Sequence, residues 1–400
     1  MKIFILTILV SLTASNIIAS ELSLEEFLKK VQVQNLNLKL EAAKQNLAEE
    51  KSVGLRLPPP MLGITKGKEE QGNSPNGLEI NQEVPFPAKL KADHNARIIE
   101  SKAQQEMLKA NQNEILSKAK LSYIDLWIAQ EKIGVINQKR RVLEDHIKLS
   151  RSAVRSDSFL KIHLLKAESD LDLLENELES AKQILKEKKY VLADIVNEAP
   201  QSFDIEAVEP PISSVPQLTD SETTPQIASM KLTLDSLKAR EDEAKASWLP
   251  DFNLRYKEMG ATSMSNKYRE VMVGITLPFV YFWEPKVATT MANIEKMQAE
   301  INLNKEKRTI DIKFATLSSK VESLKKQLSN LKNKLLPRAE QRMKLVHNLA
   351  PRDMETIQDH RETMEAFPNL KMAELELRMQ YEETIAELEK YIVNKGSSHE

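Results

Sequence analysis

The 400-residue chain has no cysteine. That excludes disulfides, thiolate chemistry and a lipid carried on an N-terminal cysteine. Glycine is scarce, at 9 residues, and aromatics make up only 5%. With charged residues at 29% and Lys, Glu, Leu, Ala and Gln abundant, such a composition favours long helices with solvated faces. No sign of charge dominates. The net charge is -2 and the lysines are interleaved with glutamates, so no basic stripe offers itself to nucleic acid. Beyond the first twenty residues no segment has the roughly 18 apolar residues of a membrane helix. If the protein sits in a membrane, something other than a helix or a lipid must hold it there. Catalytic constellations are missing too. There is no Ser-His-Asp order, no glycine-rich phosphate loop and no convincing carboxylate pair, which argues against an enzyme. The six histidines, His94, His146, His163, His347, His360 and His399, never fall at i, i+4, so neither a metal nor another cofactor is implied.

What is present begins with an address label. Lys2 is followed by the apolar run Ile3 to Leu12, then by the small residues Ala19 and Ser20 before Glu21. This order predicts a signal peptide over 1–20, with a buried N-terminal helix as the other reading. The mature chain is then expected to be exported.

Prolines divide the remainder. Pro58, Pro59 and Pro60 follow a helical stretch, and Pro85 and Pro87 come about 25 residues later. Pro250, Pro278 and Pro285 repeat the arrangement. Arg56-Leu57-Pro58 echoes Trp248-Leu249-Pro250. Val84-Pro85-Phe86 echoes Leu277-Pro278-Phe279. An internal duplication at a spacing of about 190 residues accounts for both. It gives a first repeat over 21–196, a linker over 197–224 rich in proline and small polar residues, a second repeat over 225–395 and a tail over 396–400.

Between the proline marks, residues 61–66, 78–84, 252–257 and 271–277 alternate apolar and polar, which predicts strands. Their polar positions include Glu79, Asn81, Glu83, Asn253, Arg255 and Lys257. A soluble sheet with one wet face would show the same alternation. Residues 66–77 and 260–267 read as hairpin loops. The rest is helical. Ser23 and Glu26 have capping-box spacing at the start of a helix over 23–55. Long helices are predicted over 88–150, 160–196, 286–349 and 354–392. Leu171, Leu174, Leu178, Ala181 and Leu185 form one three–four seam, and Val321, Leu324, Leu328, Leu331 and Leu335 form another. Pro337 and Pro368 are expected to bend or break their helices. The fold class is therefore mainly α with a small β part. Four strands are too few to close a membrane barrel, and lipid does not tolerate open sheet edges, so several chains would have to pool their strands.

Several short motifs resemble those of the TolC family of outer-membrane factors. Asn81-Gln82-Glu83-Val84-Pro85-Phe86-Pro87-Ala88-Lys89 is similar to the family's Q-x-x-P-x-P-G-K, with Ala88 where glycine is usual. Leu249-Pro250-Asp251 matches L-P-D. Leu335-Leu336-Pro337-Arg338-Ala339-Glu340 matches L-L-P-x-A-E. Ile357, Asp359, Arg361 and Thr363 resemble the second tip's L-L-D-A-Q-R-T, and Leu165, Ala167 and Glu168 the first tip's L-x-A-E. The likeness covers roughly residues 21–395. It implies a homotrimer with a twelve-stranded barrel in outer-membrane lipid and a coiled-coil duct through the periplasm. Its implied partners are a periplasmic adaptor (membrane fusion) protein and an inner-membrane RND or ABC transporter. Ser156-Asp157 and Ala350-Pro351 stand where the hairpin tips usually carry glycine.

In such a duct the polar strand face lines the lumen. Asp353, Glu355, Asp359 and Glu362, close together after the second tip, become candidate gate carboxylates, since threefold symmetry makes each a ring of charge. The plain alternative for those four is a solvated helix face. The expected function is passive conduction of solutes driven by an inner-membrane pump, in efflux or in type I secretion. The wording of the Q-x-x-P-F-P segment is similar to heavy-metal efflux members. A soluble periplasmic coiled-coil scaffold, or an adaptor, is the alternative class.

Overall fold

The computed structural model describes residues 20–66, 76–154, 161–201, 203–217, 221–261, 267–347 and 354–392. The expected leader up to residue 19, the hairpin loops at 67–75 and 262–266, and the tip residues Ser156, Asp157, Ala350, Pro351 and Asp353 lie outside the described residues, as does the tail. In chain order the elements are β1 (Ser20–Leu22), α1 (Leu24–Gln34), α2 (Leu36–Ser52), β2 (Met61–Lys66), β3 (Asn76–Val84), α3 (Pro87–Val154) and α4 (Lys161–Ile195). There follow β4 (Ile205–Ala207), α5 (Pro225–Ala246), β5 (Phe252–Met259), β6 (Tyr268–Ile275), α6 (Trp283–Asn330), α7 (Leu336–His347) and α8 (Met354–Glu389). The chain divides into two compact units. One comprises residues through Leu36, Leu116–Val215 and Lys320–Ala386; the other comprises Asn37–Ile115, Pro216–Ser319 and residues from Glu387.

In the first unit the expected capping box forms. Ser23 Oγ accepts from the Glu26 amide and the Glu26 carboxylate accepts from the Ser23 amide. The helix expected over 23–55 is interrupted, because Asn35 is extended (φ -60°, ψ 125°) and its side-chain amide donates to the Ile195 carbonyl at 2.8 Å. Its neighbours form α1 and α2 instead. Leu174 and Leu178 of the first seam pack on Ile136 and Leu143 of α3, with Leu171 and Ala181 beside them. Each such leucine contributes about 1.5–3 kcal/mol when buried.

The second seam departs from expectation at its end. Val321, Leu324, Leu328 and Leu331 are buried, but Leu335 is 38% exposed. Residues Leu331–Leu335 form a π turn, with the Leu336 amide donating to the Leu331 carbonyl. The extra residue rotates the following face by about 100°, so Leu336 and Ala339 take over the seam. The wide turn stands directly before Pro337, whose missing amide and bulky ring disfavour a regular turn there. Pro368, in contrast, lies inside α8 without ending it, and its ring is buried.

Part of the linker forms regular structure. β4 pairs in parallel with β1, Ser20 opposite Ile205 and Leu22 opposite Ala207. The Tyr123 hydroxyl, fully buried, lies 2.5 Å from the Leu22 carbonyl and 2.9 Å from that of Val208. Arg378 donates to the Pro210 carbonyl at 3.0 Å, and Tyr381 to that of Ser213 at 2.7 Å. Glu382, 1% exposed, accepts from the Ser213 amide and pairs with Arg378 at 2.8 Å. The segment is thus a strap clasped by buried polar side chains of α3 and α8.

The second unit holds a four-stranded antiparallel sheet in the order β2-β3-β5-β6. Its helices follow the same order. Asn111 of α3 donates to Glu41 of α2 at 2.8 Å, and Ser229 of α5 donates to the Ala103 carbonyl of α3 at 2.8 Å. Lys296 of α6 pairs with Glu241 of α5 at 2.8 Å. Ile227 of α5, Leu303 and Ile310 of α6 and Tyr391, just past the end of α8, form a core.

Candidate functional site: a two-faced sheet and a charged hairpin end

The register sorts the sheet residues into two faces. Glu79 stands opposite Lys257, Asn81 opposite Arg255 and Glu83 opposite Asn253, so all six expected polar positions share one face. Lys257 faces Glu270 on β6, and Arg255 faces Met272. Arg255 and Glu79 pair at 3.7 Å.

The other face is apolar. Leu62, Ile80, Tyr256 and Val271 form one row. Gln82, Leu254 and Val273 form the next, and Val84, Phe252 and Ile275 the last. Gln82 is the polar exception, and its amide is used up on the Pro58 and Glu83 carbonyls. Much of this face is uncovered in the single chain: Ile64 is 80% exposed, Val271 74% and Val273 65%. At the loop end the same face closes with Glu258, which pairs with Lys267 and Arg269. Beyond β6 it continues into Val280, Tyr281, Phe282 and Trp283, all exposed, with Trp283 edge-on to both neighbouring rings.

Two of the motifs meet at the sheet-to-helix junction. The Asp251 carboxylate accepts from the Phe86 amide at 2.9 Å and from Lys89 at 2.7 Å, while Phe86 stacks on Phe252. The V-P-F-P-A-K and L-P-D words are therefore two halves of one clasp. It fixes where β3 becomes α3 and where β5 starts.

The expected gate carboxylates are only partly placed. Asp353 and the Glu355 side chain lie outside the described residues. Asp359 and Glu362 are exposed on α8, Glu362 accepting from Gln358 at 3.0 Å. The buried contacts nearby belong to other residues. Arg361 pairs with Asp170 of α4 at 2.8 Å and with Glu365 at 2.7 Å. His146 of α3 is 4% exposed, and its Nδ1 has no partner. Burial lowers its pKa from 6.5 to about 4, with Arg361, His360 and His163 adding to the shift and Asp170 opposing it. Sequence reasoning singled out Arg361 only as a motif letter and missed Asp170, whose partner is 191 positions away.

No protein-family profile matches the chain, and no curated protein matches it. Solved structures do. The Campylobacter jejuni CmeC outer membrane channel shares 14% identity at a TM-score of 0.77, covering 92% of this chain and 84% of that one. The open state of the Neisseria gonorrhoeae MtrE outer membrane channel gives 16%, 0.75, 92% and 88%. CusC, described in connection with transmembrane channel formation, gives 14%, 0.73, 92% and 92%. At such identities the likeness establishes the fold.

Proposed function

Proceeding from a fold shared with outer-membrane channels, we propose that this chain is the outer-membrane exit duct of a tripartite efflux or type I secretion system. The observation that carries this reading is the sheet. It has an exposed apolar face, an opposite charged face, and two strand edges, β2 and β6, with no neighbour among the described residues. Water would penalise the first feature and lipid the third, unless copies of the chain complete a barrel. Eight strands from two chains would give a barrel just wide enough for its own side chains to fill. Twelve from three chains leave a lumen, so the reading is a homotrimer. Lipid then covers Val271 and Val273, and Glu79, Asn81, Glu83, Asn253, Arg255 and Lys257 line the water-filled interior. The two repeats of the sequence each supply one strand pair and one long hairpin.

The helices carry solutes outward across the periplasm from an inner-membrane RND or ABC transporter, which supplies the energy, and a periplasmic adaptor joins the two. The chain itself conducts passively, without cofactor or catalysis. Asp359 and Glu362, with Asp353 and Glu355, make rings of negative charge near the periplasmic mouth. The leader over 1–20 exports the chain, and the barrel holds it without a lipid anchor. Expression with that leader in a Gram-negative host tests the reading. The mature protein should pellet with outer membranes and require detergent for release. Recovery in the soluble periplasmic fraction would overturn it in favour of a soluble scaffold.

A further inference from the structure

We propose that the cavity between the strap and the helices of the first unit binds a small organic cation, an amine carried on an apolar body. The inference is independent of the duct reading, which assigns nothing to this place.

The cavity measures about 290 Å³ and lies wholly within one compact unit. It is about as large as ten waters of bulk liquid, near the lower end of small-molecule sites. Part of the room comes from a missing side chain. Gly134 shares a face of α3 with Trp127 and Glu131, seven and three residues before it, and a Cβ there would meet no atom within 4 Å. α8 supplies a second wall, the strap a third, and the end of α6 with the π turn a fourth.

Burial grades from floor to mouth. Trp127, Leu328 of α6 and Leu375 of α8 are buried apolar lining, whereas Glu131, Glu209 of the strap and Lys332 of the π turn are exposed. The charges also sort into engaged and unengaged ones. Arg378 lies 2.8 Å from Glu382, donates to the Pro210 carbonyl and has its guanidinium 5.8 Å from the centre of the Trp127 ring. Lys371 pairs with Glu374 at 2.8 Å. Glu131, Glu209 and Lys332 pair with no side chain among the described residues.

Two unengaged carboxylates therefore stand against one ammonium. The mouth keeps an uncompensated negative charge that a single cationic group neutralises and an anion would aggravate. A bare metal ion would leave the apolar floor unused, and no cluster of ligating side chains comes together among the described residues. An ammonium on an apolar body uses both halves of the lining, the carboxylates at the mouth and Trp127, Leu328 and Leu375 below. Because the strap is one wall and helices are the others, such a ligand also ties the linker to the helices and stabilises the folded chain.

Calorimetric titration of the purified protein tests this, with circular dichroism to show that each variant is folded. Phenethylamine, an aromatic body carrying one ammonium, should bind once per chain with a Kd of about 0.1–1 mM, as befits so small a ligand. 3-Phenylpropionate, a similar body carrying a carboxylate, should bind at least about tenfold more weakly. Glu131→Gln with Glu209→Gln keeps the shape and removes the charge, and should weaken phenethylamine at least about tenfold. Gly134→Leu should fill the cavity and abolish binding. If that variant does not fold, the carboxylate variant, changed only at exposed positions, still decides. No binding of phenethylamine to the unaltered chain, equal binding of amine and acid, or full binding in the carboxylate variant would each overturn the proposal.

Discussion

Val273 is the position where the membrane reading can be pressed hardest. It lies on β6 in the middle apolar row, beside Leu254, and is 65% exposed in the single chain. If lipid covers it, Val273→Arg places a guanidinium on the lipid face at a cost of about 2–4 kcal/mol near mid-bilayer. Three copies carry the charge together, so the assembled particle loses about 6–12 kcal/mol, at least four orders of magnitude in the assembly equilibrium. The matched control is Arg255→Ala on the opposite face. It removes a pair with Glu79 at 3.7 Å between partly exposed side chains, worth at most about 1 kcal/mol. The assay is the yield of assembled particle from outer membranes, by detergent-gel mobility and light scattering. Val273→Arg should abolish it and Arg255→Ala should leave most of it. On a soluble sheet the first change would be an ordinary surface substitution within about 0.5 kcal/mol. Equal yields from the two variants would therefore refute the assignment of faces.

Other consequences are as direct. Asp359→Ala with Glu362→Ala should weaken cation preference and block by divalent ions in planar-bilayer recordings, with trimer yield unchanged; unaltered selectivity would return both to a solvated helix face. His146 is held below its unfolded pKa, so the unfolded chain binds the extra proton between pH 6.5 and about 4. Stability should be full above pH 6.5 and fall by on the order of 3 kcal/mol as pH drops towards 4, while His146→Leu should flatten that loss in denaturant titrations. Gly134 is the one glycine of α3, and a Cβ there would meet no atom within 4 Å. Gly134→Ala should raise the unfolding midpoint, by about 0.8–1.0 kcal/mol of stability, and a loss would mean the site needs glycine for another reason. Asp251→Ala should cost about 2 kcal/mol by leaving the Phe86 amide and Lys89 without their carboxylate, and Asp251→Asn should recover only part, as urea unfolding can show.

The parts of the fold that were legible in the sequence are those with a local cause. Alternation marked β2, β3, β5 and β6 to within three residues at each end, since a strand with one apolar face repeats every second residue. The Ser23–Glu26 box and the first leucine seam were legible for the same reason. What escaped depended on distant partners. The pairing of β3 with β5 joins residues some 170 positions apart, and nothing in either strand names the other. β1 and β4 are three residues each, too short for periodicity, and exist because Tyr123 and its neighbours hold their carbonyls. Pro337 announced a disturbance, but the shift of the seam from Leu335 to Leu336 follows from the π turn ahead of it. At the hairpin end the carboxylates stood out as charge, whereas the Arg361–Asp170 bridge links two helices that the sequence keeps far apart.

The most direct test of the account is the protein mass of the detergent-extracted particle. With one full chain at 45.5 kDa, light scattering corrected for bound detergent should find three chains per particle. A single chain that stays monodisperse in buffer without detergent would contradict the barrel and the lumen together.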